Sequence, residues 1–106
     1  MLNVEFEGNM KQITYRELQQ WKAEGKAFQL VDVREANEHQ NFNIGGELIP
    51  LSHVVKAKDR LDLSKPIVLY CKRGIRSQIA IQRLSQKFPQ ADLYNLQNGI
   101  LFLKQT

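Results

Sequence analysis

The 106-residue chain is predicted to fold as a single parallel-sheet α/β domain, and three observations carry that reading. Short apolar runs alternate with stretches of helical periodicity, the order that produces β-α-β units. The runs are apolar nearly throughout instead of at every second residue, as strands inside a sheet covered on both faces are. The length suffices for one real core and is too short for two.

Each element has its own local signal. Residues 1–11 read as an extended lead-in with a frayed start, and the core as about 13–102. Thr14 stands three residues before Glu17, a capping-box spacing, and Tyr15, Leu18 and Trp21 with Lys22 fit a helix ended by Gly25. Ala27 to Val33 is mostly apolar and reads as an interior strand. Glu35 to Phe42 fits a short polar helix, Asn43-Ile44-Gly45-Gly46 a turn, and Ile49-Pro50-Leu51 a brief extended piece. Ser52 to Leu61 can start a helix at a Ser52 cap and bury Val54, Val55 and Leu61. Lys65-Pro66 introduces the strand Ile67 to Tyr70. Ser77 to Phe88 places Ala80, Ile81, Leu84 and Phe88 on one stripe, and Pro89 stops it. Leu93 to Leu96 is a last short strand, Asn98-Gly99 a turn, and Ile100 to Leu103 a short closing helix.

The chemistry points to the segment Tyr70-Cys71-Lys72-Arg73-Gly74-Ile75-Arg76-Ser77, which reads as strand, loop and helix start around the chain's one cysteine. A loop closing onto a helix N-terminus aims unpaired backbone N–H groups inward, where the helix dipole adds partial positive charge. Thiolate is the nucleophilic form of cysteine, and at helix N-termini beside Lys or Arg thiols ionise between about 3.5 and 7.5 instead of near 8.5. The bland alternative is an inert cysteine buried at a strand end. Gly74 permits a positive φ or a close backbone approach. Arg76 closes the loop and suits a structural hydrogen-bonding role. Asp32 and Arg34 read as a structural pair at the end of their strand, which in a parallel sheet shares an edge with Cys71.

Composition narrows the classes. With 42% apolar and 25% charged residues the chain is ordinary for a soluble globular protein. One cysteine excludes an internal disulfide, and His39 and His53 lie 14 residues apart with no cysteine near either, so no metal or cofactor is expected. No apolar run has the length of a signal peptide or a membrane span, so a cytoplasmic setting without membrane contact is expected. Residues 1–50 carry net −3 and residues 51–106 net +7, with five basic residues and no acid from Lys72 to Lys87. That field draws anions toward Cys71, while Arg83 and Lys87 read as solvation of an outer helix face. No aromatic residues interleave the basic stretch, which argues against nucleic acid.

Taken together, Asp32-Val33-Arg34-Glu35 with Glu38, Asn43-Ile44-Gly45-Gly46 with Ile49-Pro50, Val68-Leu69-Tyr70-Cys71 with Gly74 and Arg76-Ser77, and Asn95-Leu96 with Gly99-Ile100 resemble a single-domain rhodanese, of the sulfurtransferase family. The resemblance runs from about Ile13 to Phe102. It departs mildly where many members have His-Ile-Pro-Gly in place of residues 43–46, and Gly-Gly in place of Asn98-Gly99. Asn-Ile-Gly-Gly followed by Ile-Pro-Leu is similar to the rhodanese domains attached to adenylating enzymes of molybdopterin and thiamine synthesis.

The resemblance implies a five-stranded parallel sheet flanked by helices on both faces, with Cys71 carrying sulfur. It implies covalent, ping-pong transfer in which Cys71 takes the outer sulfur of an anionic donor such as thiosulfate and passes it from a persulfide to a second nucleophile. Backbone N–H groups of residues 72 to 76, Ile75 among them, would hold the persulfide anion, and Lys72 and Arg73 the sulfonate end of thiosulfate. Protein donors and acceptors of sulfur fit the same chemistry. Two rivals stand beside it. A phosphatase or arsenate reductase of the related Cys-x5-Arg class would need arginine at position 77, where this chain has Ser77. A non-catalytic binding module would not need Cys71.

Overall fold

The computed structural model describes residues 10–104. Five parallel strands form one sheet in the order β1-β5-β4-β2-β3: β1 is Lys11–Ile13, β2 Gln29–Asp32, β3 Glu47–Leu48, β4 Ile67–Tyr70 and β5 Leu93–Leu96. Helix α1 (Tyr15–Ala23) follows β1, α2 (Ala36–Asn41) follows β2 and α3 (Ile75–Lys87) follows β4. The sequence-based fold class is therefore found. The start of the expected lead-in, residues 1–9, lies outside the described residues, and its end forms β1 against β5.

β4 is central, and all four of its residues are buried. Alternation of side chains across a strand sends Ile67, Leu69 and Cys71 to the face covered by Ala80, Ile81 and Leu84 of α3. Val68 and Tyr70 go to the opposite face, against Leu18 of α1 with Leu96 and Ile100. A strand covered on both faces favours apolar side chains throughout, and the β4 sequence accordingly reads as one apolar run. The same geometry delivers Cys71 to the middle of the carboxyl edge of the sheet.

Helix starts follow their caps. In α1 the Thr14 hydroxyl accepts from Glu17 N at 3.0 Å and the Glu17 carboxylate from Thr14 N at 2.9 Å, the reciprocal bonding of a capping box. Helix α3 starts at Ile75, two residues before the expected Ser77, because Gly74 in the left-handed region (φ 89°) sets the entry turn.

The expected helix over Ser52–Leu61 is corrected to two separate 3₁₀ turns, Val54–Lys56 and Lys58–Arg60. Val54 and Leu61 are buried as predicted, whereas Val55 is only half-buried. The adjacent β-branched Val54 and Val55 weaken helix propagation, and Ala57 (φ −100°, ψ 38°) breaks the run. Ser52 caps nothing; its hydroxyl meets His53 Nδ1 at 3.1 Å. The expected extended piece at 49–51 is joined by Glu47–Leu48, and its pairing runs on through Ile49 N to Asp32 O and Leu51 N to Val33 O. The closing helix is a 3₁₀ turn over Leu101–Lys104.

Candidate active site

Cys71 ends β4, and the chain then turns through Lys72, Arg73 and Gly74 into α3. The carbonyls of Cys71 and Lys72 are taken up by the turn after β5: Ile100 N donates to both, at 3.1 and 3.0 Å, and Leu101 N to Lys72 O at 2.9 Å. That contact needs Gly99, at φ 65°, where a Cβ would run into the Lys72 carbonyl. With its carbonyls held on that side, the loop presents N–H groups on the other.

Two of them reach the sulfur. Gly74 N donates to Cys71 Sγ at 3.1 Å and Ser77 N at 3.3 Å. Of the amides expected to face Cys71, 72 to 76, only that of Gly74 does so; that of Ser77, one residue past the range, is the second. Among the described residues the amides of Lys72, Arg73, Ile75 and Arg76 have no acceptor, which leaves four donors unspent around the loop. The Ser77 hydroxyl lies 3.4 Å from Sγ and donates to Asn95 Oδ1. Cys71 is 1% exposed, packed beneath the loop with aliphatic neighbours on its inner side. Burial and directed donors thus coexist: N–H groups aimed at sulfur favour negative charge on it, as directed donors do for any anion.

The basic side chains take three directions. Lys72 is exposed and lines a pocket of about 110 Å³ with Arg34, Glu38, Phe42 and Leu101. Arg73 is exposed on the other side of the loop, in an open groove with Arg16, Tyr15 and Phe102. Arg76 turns to α2 and makes a two-pronged bond to Glu38, at 2.7 and 2.9 Å. That bond holds the Glu38 carboxyl down at about 2 and raises the Arg76 guanidinium further. Ile75 is 64% exposed at the first turn of α3.

Asp32 and Arg34 form a buried pair on the same sheet edge. Asp32 accepts from Arg34 N, Nε and Nη2 at 3.0, 2.9 and 2.8 Å, and His39 Nδ1 lies 2.8 Å from its second oxygen. Arg34 Nη2 also ties the Phe42 carbonyl at 2.6 Å. Burial pushes the nearby Tyr70 hydroxyl up to about 12, and that hydroxyl donates to Gly45 O at 2.8 Å. These bonds pin the segment after β2 against β4.

In the sequence Glu38 and Asn95 stand out only as parts of the family pattern, and Gln12 does not stand out at all. Asn95 bonds both Ser77 and, through Nδ2 at 2.9 Å, Gln12 Oε1. A polar residue inside the apolar run Leu93–Leu96 is the signal that could have found it.

The chain matches the family model for the Rhodanese-like domain over residues 14–104. It is 38% identical to the uncharacterized protein YqhL of Bacillus subtilis over 91 residues, covering 85% of this chain and 69% of that protein. It is 34% identical to the thiosulfate sulfurtransferase GlpE of Shewanella oneidensis, covering 72% of this chain and 75% of that protein. The probable adenylyltransferase/sulfurtransferase MoeZ of Mycobacterium tuberculosis is 37% identical over 84% of this chain, which spans only 23% of MoeZ. Among solved structures, a rhodanese-like domain protein from Staphylococcus aureus superposes with a TM-score of 0.77 at 27% identity, covering 86% of this chain and 88% of that one.

Proposed function

The chain belongs to the rhodanese-like domain family, and on that premise we propose that it is a sulfurtransferase moving sulfane sulfur through a persulfide on Cys71. The observation that carries this reading is the convergence of Gly74 N–H and Ser77 N–H on the one sulfhydryl of the chain, at the carboxyl end of the central strand. Donors fixed before the reaction stabilise charge on sulfur without reorganising.

In the first displacement the Cys71 thiolate attacks the outer sulfur of an anionic donor such as thiosulfate. The new S–S bond forms as the old one breaks, and sulfite leaves with the bonding electron pair. The persulfide anion would draw on the unspent amides of Lys72, Arg73, Ile75 and Arg76 as donors to its terminal sulfur. In the second displacement a thiophilic acceptor takes that sulfur, and Cys71 departs as thiolate. The pair of displacements restores the starting enzyme and is ping-pong.

Lys72 presents an exposed cation at the pocket beside the loop, which suits an anionic donor. Thiosulfate itself is supported by the likeness to GlpE. The burial of Cys71 restricts the partner further: the transferred atom must come on a small anion or on a narrow extended arm of a protein. A protein donor or acceptor presenting such an arm fits, and the likeness to MoeZ supports that variant of the reading. The phosphatase alternative lacks its cation, because Ser77 occupies the position that arginine would need and Arg76 is engaged by Glu38.

Intact mass spectrometry after incubation with thiosulfate tests the proposal. The wild-type chain is expected to gain the mass of one sulfur atom, which cyanide or a thiol removes, and Cys71→Ser is expected to gain none while keeping its circular dichroism. A folded wild-type chain that takes up no sulfur from thiosulfate or from a persulfide donor would overturn it.

A further inference from the structure

Ser77 and Asn95 are polar side chains in the packed interior, 0% and 1% exposed. They connect the sulfur to the surface: Cys71 Sγ to Ser77 Oγ at 3.4 Å, Ser77 Oγ–H to Asn95 Oδ1, and Asn95 Nδ2 to Oε1 of Gln12, on the exposed side of β1, at 2.9 Å. Burying an amide in the middle of β5 is costly unless its groups are bonded, and the two bonds from Asn95 that satisfy it both belong to this chain of contacts.

A serine hydroxyl has one hydrogen to give. In this arrangement it goes to Asn95, so Ser77 can bond the sulfur only as an acceptor, from a thiol. An anionic sulfur has no hydrogen to donate, and Ser77 must turn its own inward. Asn95 then loses its donor unless its amide turns over, giving Nδ2 to Ser77 and taking Gln12 Nε2 at Oδ1. Gln12 is at the surface and can present either end, with water meeting the other.

We infer that Ser77, Asn95 and Gln12 form a hydrogen-bond chain whose direction reverses with the charge on Cys71, pointing outward beside the thiol and inward beside the thiolate. The inference rests on the reading of Cys71 as the sulfur nucleophile. Asn95 and Gln12 never touch the substrate; they are positioning residues that act through Ser77. Their role is to let a buried nucleophile gain a third directed donor when it ionises, at no cost of an unmatched amide.

The ionisable groups on the loop and helices around the sulfur are Lys72, Arg73, and Arg76 with its partner Glu38. The neighbouring elements add Asp32 and Arg34 at the end of β2, His39 from α2, and Lys11 with its partner Asp92 and Tyr94 beside Gln12 and Asn95. All are common to the wild-type chain and its variants, so a difference between those proteins reports the substitution alone.

The experiment is the rate of alkylation by iodoacetamide against pH, which reads Cys71 alone because the chain has one cysteine. Gln12→Glu installs a group that only accepts and locks the outward direction; the profile is expected to move to higher pH by about one unit, a tenfold change in thiolate fraction below the midpoint. Gln12→Lys only donates, locks the inward direction and is expected to move it oppositely. A through-space charge effect has the same signs, so both substitutions are repeated in Ser77→Ala and, as an independent break, in Asn95→Leu. Displacements that vanish in either folded background and survive added salt support the chain. Displacements that persist with the chain broken, or none at all in the wild-type background, overturn it. No sulfur donor is present in this assay, so its failure leaves the proposed function to be decided separately, by sulfur loading from thiosulfate.

Discussion

Replacing Glu38 by glutamine should remove a pH-dependent part of the stability without disturbing the shape of the site. Glu38 anchors Arg76, and through it the first turn of α3, to α2. The two hydrogen bonds from Arg76 lower the carboxyl from an ordinary 4.5 to about 2. At about 1.4 kcal/mol per unit that displacement corresponds to roughly 3 kcal/mol. The partners are 33% and 26% exposed, so solvent screening reduces it to about 1.5 kcal/mol. Because the folded-state value is depressed, the contribution is fully present above pH 4.5 and is lost as the pH falls through 2. Urea unfolding at pH 7 should therefore find Glu38→Gln less stable by about 1.5 kcal/mol, a gap that closes between pH 4.5 and 2. Glutamine keeps an acceptor for Glu35 N, bonded at 3.0 Å in the wild type, so the start of α2 is preserved. A gap of unchanged size at pH 2, or none at pH 7, would refute the reasoning and reduce the pair to a surface contact.

Lys72 and Arg73 are adjacent in sequence but line different pockets, so their neutralisation should separate. Lys72→Gln is expected to raise KM for thiosulfate about two- to fivefold with kcat nearly unchanged, and Arg73→Gln to leave both nearly alone; steady-state kinetics showing the larger effect for Arg73 would reverse the assignment. Gly99→Ala forces a side chain at φ 65° into the Lys72 carbonyl and should cost about 3 kcal/mol. In urea that is a midpoint lower by roughly 2 M, and a shift below about 0.5 M would mean the turn relaxes away from the loop.

The legible parts of the fold are those decided by neighbours in sequence. The β4 run, the Thr14–Glu17 box and Gly25 after α1 act within a few residues, and each element lies where that local signal puts it. The helix expected over Ser52–Leu61 fails because Val54 and Leu61, seven apart, fit a helical face as well as two tight turns draped over the core. What chooses the turns is the surface beneath them, built by Leu69, Ile81 and Leu84, and no window of sequence contains it. The site divides in the same way. Cys71, Gly74 and Ser77 lie within six residues and announce themselves, whereas Arg76 meets Glu38 across 38 residues and Asn95 meets Gln12 across 83. Those contacts exist only because β2 and β5 flank β4 and β1 pairs with β5.

Loop length then decides what stands beside the sulfur. Successive residues on a helix point about 100° apart, so Arg76 and Ser77 cannot both face Cys71. Here Ser77 does, through its amide and hydroxyl, while Arg76 swings to Glu38 on α2. A loop one residue longer before the arginine would exchange these roles and bring a fixed cation to the nucleophile, with two N–H groups shaped for a tetrahedral oxyanion. With serine in that place the donors that reach Sγ are uncharged: two amides, and a hydroxyl whose hydrogen can turn either way. Such a setting suits the chemistry proposed for Cys71, in which the sulfur is by turns thiol, thiolate and persulfide.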